Sequence, residues 1–231
     1  MNIEEQLHFD GREMHMVHDV FRREFALMPA LVRGVAVGDH NRAQIVTDHI
    51  QRVSALLHHH HLVEGQYTWP LLLERCGPAF ASVVQVMEEQ HEQIATLGRE
   101  VDAALTIWRT NATVESREAL AAALERLLSP MKEHLRDEEE RVVPLLEEHI
   151  TASEWDATVQ KGAEEIEAEN LPLSFGLLMY EGDPQLVERT IANLPANARP
   201  VIRELAAQAF AEHSRRVHGT PTPHRALRSN P

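Results

Sequence analysis

The chain has 231 residues and a mass of 26.2 kDa, enough for one large domain or for a compact domain of about 150 residues carrying an appendage. Lys and Arg total 22 against 36 Asp and Glu, and the resulting charge of -14 leaves no basic footprint for phosphate backbones or anionic lipid, which excludes nucleic acid and membranes as expected partners. One cysteine, Cys76, excludes an intrachain disulfide, a CxxC metal site and an iron–sulfur cluster, and fits a reducing, cytoplasmic setting.

In chain order, the opening stretch MNIEEQLHFD is acidic, and no apolar run approaches the roughly 18 residues of a membrane span. The expectation is a soluble protein without an export signal. The first amphipathic pattern places Met14, His18, Phe21, Phe25, Met28 and Val32 on one face, the spacing of a helix in a bundle. Gly34, Gly38 and Asp39 end it. A second pattern runs through Val46, Ile50, Val53, Leu57, His60, Glu64, Tyr67 and Leu71 to the break at Cys76-Gly77-Pro78. The third reads Val84, Met87, His91, Ile94, Val101, Leu105 and Trp108, and the polar stretch Thr110 to Ser116 forms the next turn. The fourth reads Leu120, Leu124, Leu127, Met131, His134, Glu138, Val142 and Leu145, with Ser129-Pro130 expected to kink it.

Four long amphipathic segments and no strand pattern predict an all-α fold, an antiparallel up-and-down four-helix bundle over residues 1–150. From Thr151 the pattern shortens between Pro172, Pro184, Pro195 and Pro200. This predicts a helical appendage over 151–218 packed on the bundle, then a disordered tail over 219–231. No solenoid repeat is present.

Fifteen histidines are more than packing requires. Each long segment carries one in its apolar seam: His18, His60, His91 and His134. Two have a glutamate one turn later, Glu64 and Glu138, on the same face of the helix. With turns near residues 38, 76 and 113, the four histidines lie at matching heights, about 15 to 22 residues from their turns, so mismatches along the axes are a few ångströms. Four imidazoles and two carboxylates therefore converge in the interior. Two ionised carboxylates buried without partners would cost several kcal/mol each, and a cation removes that cost. Six ligands, two of them bridging, exceed one tetrahedral zinc and leave two six-coordinate metals with open positions. Imidazole with carboxylate suits iron or manganese, while zinc or copper can compete.

The stretches MHMVHDVFRREF, HHHHLVEGQYTWPLL, EEQHEQI and HLRDEEERVVPLL together resemble the hemerythrin-like, or HHE cation-binding, proteins. The resemblance implies His18, His60, Glu64, His91, His134 and Glu138 as ligands of a non-haem diiron centre with an oxo or hydroxo bridge, for which manganese or zinc can substitute. Two departures stand out. Oxygen-carrying hemerythrins have a histidine where this chain has Met87, which opens one iron; His61, beside the seam with Leu57 and Glu64, is the candidate replacement. The carriers' spacing would also select Glu139, whereas seam spacing and the distance to Pro144 favour Glu138. A ferritin-like site would need two Glu-x-x-His elements, and only Glu88-x-x-His91 fits.

The remaining histidines read more plainly. His15 aligns with Asp19 and Arg22 on an exposed face, His58 lies opposite Glu64, His59 can hydrogen-bond behind the ligands, His213 packs in the appendage, and His218 and His224 belong to the tail. Tyr67 is expected in the core near the site. The functional expectation is a diiron protein that binds or reacts with a small oxygen species, through catalase- or peroxidase-like turnover of peroxide or binding of O2 or NO. The alternative is an oxygen, redox or iron sensor or store without turnover, with residues 151–218 facing a protein partner.

Overall fold

The computed structural model describes residues 8–194 and 198–225. Among them the chain is helical, with a single isolated antiparallel bridge from His8 to Thr151. α1 (Arg12–Arg33) ends at Gly34, and α2 (His40–Val63) begins where the Asp39 carboxylate accepts from the Arg42 backbone N–H at 2.9 Å, satisfying a donor that has no partner within the helix. α2 passes into a five-residue π-helical turn, Glu64–Thr68, and then into α3 (Trp69–Cys76). Gly77, at φ +64°, reverses the chain into α4 (Pro78–Asn111), a conformation that favours glycine. α5 (Val114–Arg141) starts from a capping box of Thr113 with Ser116 and is followed by α6 (Val143–His149).

The long helices form a closed ring of contacts: α1 packs on α2 and α5, and α4 packs on α2 and α5. One expectation changes. The second and fourth segments are not single helices, because the π turn interrupts one at Glu64 and the α5–α6 junction at Val142 interrupts the other just past Glu138. Pro130 lies inside α5.

Two apolar layers fill the ring. One contains Phe21, Phe25, Leu57, Ile94, Met131 and Leu135; the other contains Met14, Trp69, Met87, Val142 and Leu146. Burial of each large apolar side chain contributes about 1.5–3 kcal/mol. The seam histidines lie between the layers on every long helix: His18 between Met14 and Phe21, His60 between Leu57 and Trp69, His91 between Met87 and Ile94, and His134 between Met131 and Val142.

The C-terminal third comprises α7 (Ala152–Glu164), α8 (Leu171–Met179), α9 (Pro184–Asn193) and α10 (Arg199–His218). α8 packs on α1 and α10, and α2 meets both α7 and α10. Met16 and Val20 of α1 supply the apolar anchors, against Leu186, Val187 and Ile191 and against Leu177 and Phe210. Of the tail expected to be disordered, residues 226–231 lie outside the described residues. Residues 219–225 return past α8, where the Tyr180 hydroxyl donates to the Pro223 carbonyl at 2.7 Å.

Close contact between α8 and α10 depends on Gly176, where a Cβ would stand 2.4 Å from the Ala206 carbonyl oxygen and 2.8 Å from Phe210 Cβ. Gly176→Ala is expected to lower stability in urea denaturation by about 1–3 kcal/mol through overpacking, with bound-metal content unchanged.

Candidate metal centre

Glu64 and Glu138 occupy the middle of the ring, 2% and 0% exposed. Glu64 divides its oxygens between two sides: Oε1 lies 2.8 Å from His60 Nε2 and Oε2 lies 3.4 Å from His91 Nε2. Glu138 Oε2 lies 3.2 Å from His18 Nε2 and 3.8 Å from His134 Nε2. All four carboxylate oxygens are buried with no aligned hydrogen-bond donor, as is His61 Nε2. His18 Nε2 faces His60 Nε2 at 3.3 Å, and His91 Nε2 faces His134 Nε2 at 3.2 Å.

The nitrogen and oxygen atoms fall into two groups that share Glu64: His18, His60, Glu64 and Glu138 on one side, and His61, Glu64, His91 and His134 on the other. His61 is therefore brought into the cluster, its ring stacked on His91 at 4.0 Å. Met87 is fully buried in the adjoining apolar layer. Separations near 3.3 Å are long for a hydrogen bond but fit two donors bound to one metal, since bonds of about 2.0–2.2 Å place neighbouring ligand atoms roughly 3.0–3.6 Å apart. The donor set would fit cations that share Glu64, with His61, His91 and His134 on one side and His18, His60 and Glu138 on the other.

Within the cluster the buried groups shift one another strongly. Burial, reinforced by the neighbouring Glu64 carboxylate, pushes Glu138 above the ordinary carboxylate range. Glu64 stays well below it: burial opposes ionisation, but His60 and His91 outweigh the opposition. Burial also disfavours a charged His18, yet Glu138 and Glu139 raise its pKa to about 9. Burial and the nearby His91 depress His134 to about 3.

The outer nitrogens are held by other side chains. Glu139, the alternative ligand, points away from the shared centre: it accepts from His18 Nδ1 at 2.8 Å and takes a bidentate pair from Arg22 at 2.7 and 2.8 Å. His134 Nδ1 donates to Gln90 Oε1 at 3.1 Å, and Gln90 in turn donates to Asp137 at 2.9 Å. Each contact directs Nε2 into the cluster, the usual way that ligand rings are oriented. Gln90 was not foreseen, because it reaches the site from the flank of α4 rather than from the seam.

Among the other placements, those of Tyr67 and His218 differ from the sequence reading and that of His15 agrees with it. Tyr67 is not in the core: its hydroxyl donates to Glu165 at 3.3 Å and its ring faces Lys161 at 4.8 Å, while Thr68 is buried. The π turn adds a residue to the helical repeat just after Glu64, rotating the following side chains. His59 donates to the Gly162 carbonyl at 2.9 Å, tying α7 to the ligand-bearing end of α2. His15 and His58 are exposed. His213 bonds to His49, and His218 is not in a tail: it is the last residue of α10 and faces Glu24.

Residues 11–152 match the family model described as the Hemerythrin HHE cation binding domain. That span is more than half of the chain, and the chain belongs to this family. No curated protein and no solved structure matches it significantly.

Glu138 and Glu139 are separable by mutation. Glu139→Ala is expected to weaken metal binding about 10- to 100-fold through loss of the His18 support, and Glu138→Ala to remove a bridging ligand and with it the stoichiometric complement. Chelator competition followed by elemental analysis distinguishes the two outcomes.

Proposed function

We propose that the protein is a dinuclear non-haem iron protein that binds or reacts with small oxygen species, peroxide foremost, and O2 or NO as further ligands. In this reading residues 1–150 form an antiparallel up-and-down four-helix bundle that houses the metals, and residues 151–218 are a helical cover. The observation that carries it is the pair of buried carboxylates with no aligned hydrogen-bond donor on any of their oxygens: Glu64 belongs to both groups of imidazoles, and Glu138 Oε2 lies 3.2 Å from His18 Nε2 and 3.8 Å from His134 Nε2. His18, His60, Glu64, His91, His134 and Glu138 are the ligands, with His61 as a seventh. Manganese or zinc fits the same donors, and one cysteine accords with a cytoplasmic setting.

Bound iron supplies redox chemistry that no side chain here can provide. The chain's own residues set its conditions. Glu64 and Glu138 fix the spacing of the pair, and Glu139 and Gln90 hold His18 and His134 in the ligating orientation. Phe21, Leu57, Met87 and Ile94 exclude bulk water from the layers on either side. A cleft of about 650 Å³ between α2 and α4 has His61 and His91 of the cluster in its lining. Glu88, Glu89 and Glu92 on its wall favour small neutral ligands over anions.

A second reading, a sensor without turnover, is favoured by one contact. The His59 bond to Gly162 sits one residue before the ligand His60, so a change at the centre can reach α7.

The test is metal content, the absorption spectrum and oxygen release after peroxide addition, using protein made in iron-replete cells. Two irons per chain, the near-ultraviolet bands of a coupled diferric pair and sustained oxygen release are expected. Two irons with only stoichiometric reaction would select the sensor or store; no iron, or a single zinc, would overturn the dinuclear reading. His60→Ala and Glu64→Ala are expected to abolish the pair, while His15→Ala leaves metal content unchanged.

A further inference from the structure

Where α1, α2 and α10 meet, a second group of donors lies outside the first centre. Glu24 Oε2 is 3.3 Å from His49 Nε2 and 3.5 Å from His218 Nε2. All three ligand atoms lie within 4.8 Å of one another. Glu24 and His49 are fully buried, and the His218 side chain is 7% exposed. Neither Glu24 Oε2 nor His49 Nε2 has a hydrogen-bond partner, a costly condition for a buried carboxylate and a buried imidazole.

Everything else about these residues is held in place. Glu24 Oε1 accepts from Arg23 Nε at 2.7 Å, which leaves Oε2 turned to the histidines. The Arg23 guanidinium is balanced by Glu181 at 2.6 Å and donates to the Leu177 carbonyl at 3.2 Å. His49 Nδ1 shares a hydrogen bond with His213 Nε2 at 3.0 Å; with the proton on Nδ1, the Nε2 lone pair faces Glu24. Arg42 donates to the Arg216 and Val217 carbonyls, fixing the end of α10 and with it His218. The donors at the centre are thus free of other partners, while their far sides are anchored, the pattern by which outer contacts orient metal ligands.

We propose that Glu24, His49 and His218 form a second, separate cation site that takes a zinc-type divalent ion and pins α10 to α1 and α2. Two donors bound to a tetrahedral zinc stand roughly 3.3–3.6 Å apart, and the two separations here, 3.3 and 3.5 Å, fall in that interval. Two imidazoles with one carboxylate suit a borderline first-row ion rather than calcium or magnesium and leave a fourth position for water. Two ligands come from the matched family domain, 11–152, and one from beyond it, so the ion joins the C-terminal helices to the metal-binding unit and stabilises that union by mass action.

The test uses full-length protein stripped with chelator, reloaded with Zn2+, dialysed and analysed for zinc. His218→Gln and His49→Gln are each expected to hold one zinc per chain fewer than the parent, whatever the parent's total, and to lose the tetrahedral visible bands of the Co2+-loaded form. Loss of a direct ligand exceeds the 10- to 100-fold effect of losing an orienting partner, so the deficit survives dialysis. His60→Ala, which strikes the first centre, is expected to retain those Co2+ bands, and this separates failure here from failure of the dinuclear reading. His218→Gln alters only the last residue of α10, and equal zinc and unchanged Co2+ spectra in it and the parent would overturn the proposal in favour of a hydrogen-bonded triad.

Discussion

Two carboxylates in the middle of a helical ring, with no aligned donor on any of their oxygens, are the constraint on which the rest of the structure depends. An ionised carboxylate in such surroundings costs several kcal/mol, and the charge balance without a cation responds by driving Glu138 toward protonation while Glu64 stays ionised among imidazoles. Neither outcome uses the geometry present. Glu64 offers one oxygen to each of two histidine groups, an arrangement that the proposed pair of cations would make favourable.

The surrounding architecture serves this polar layer. Apolar side chains above and below it, Phe21 and Leu57 on one side and Trp69 and Met87 on the other, supply the burial that stabilises the ring and lowers the local dielectric. Both buried carboxylates lie beside irregular backbone: Glu64 opens the π turn, and Glu138 precedes the α5–α6 junction. The π turn re-aims side chains without ending the helical run, which is why such turns gather at functional sites. The C-terminal helices press on the same unit through Met16, Val20 and the His59–Gly162 bond, so the cover and the centre are mechanically continuous.

Much of this was legible in the sequence because the helical period and the chemistry coincide. His18, His60, His91 and His134 lie on apolar seams, and Glu64 and Glu138 follow at one-turn spacing, so a reading of one face at a time finds them. Gly77 and the Thr113 cap mark their turns by side-chain chemistry alone. The period fails where the backbone departs from it. After Glu64 the π turn places Tyr67 against Lys161 and Glu165 and leaves Thr68 buried, a rotation that no regular repeat anticipates. It fails again where a residue acts across helices. Gln90 reaches His134 from a flank, and Glu24 and His49 acquire meaning only once α10 has docked and brought His218 to them.

The central claim is that Glu64 and Glu138 are shared between two cations, and anomalous diffraction from crystals of the iron-loaded protein addresses it most directly. The account predicts two peaks at the iron edge, both about 2 Å from oxygens of Glu64 and Glu138, one flanked by His18 and His60 and the other by His61, His91 and His134. A single peak, or two peaks that leave either carboxylate unbound, would contradict it.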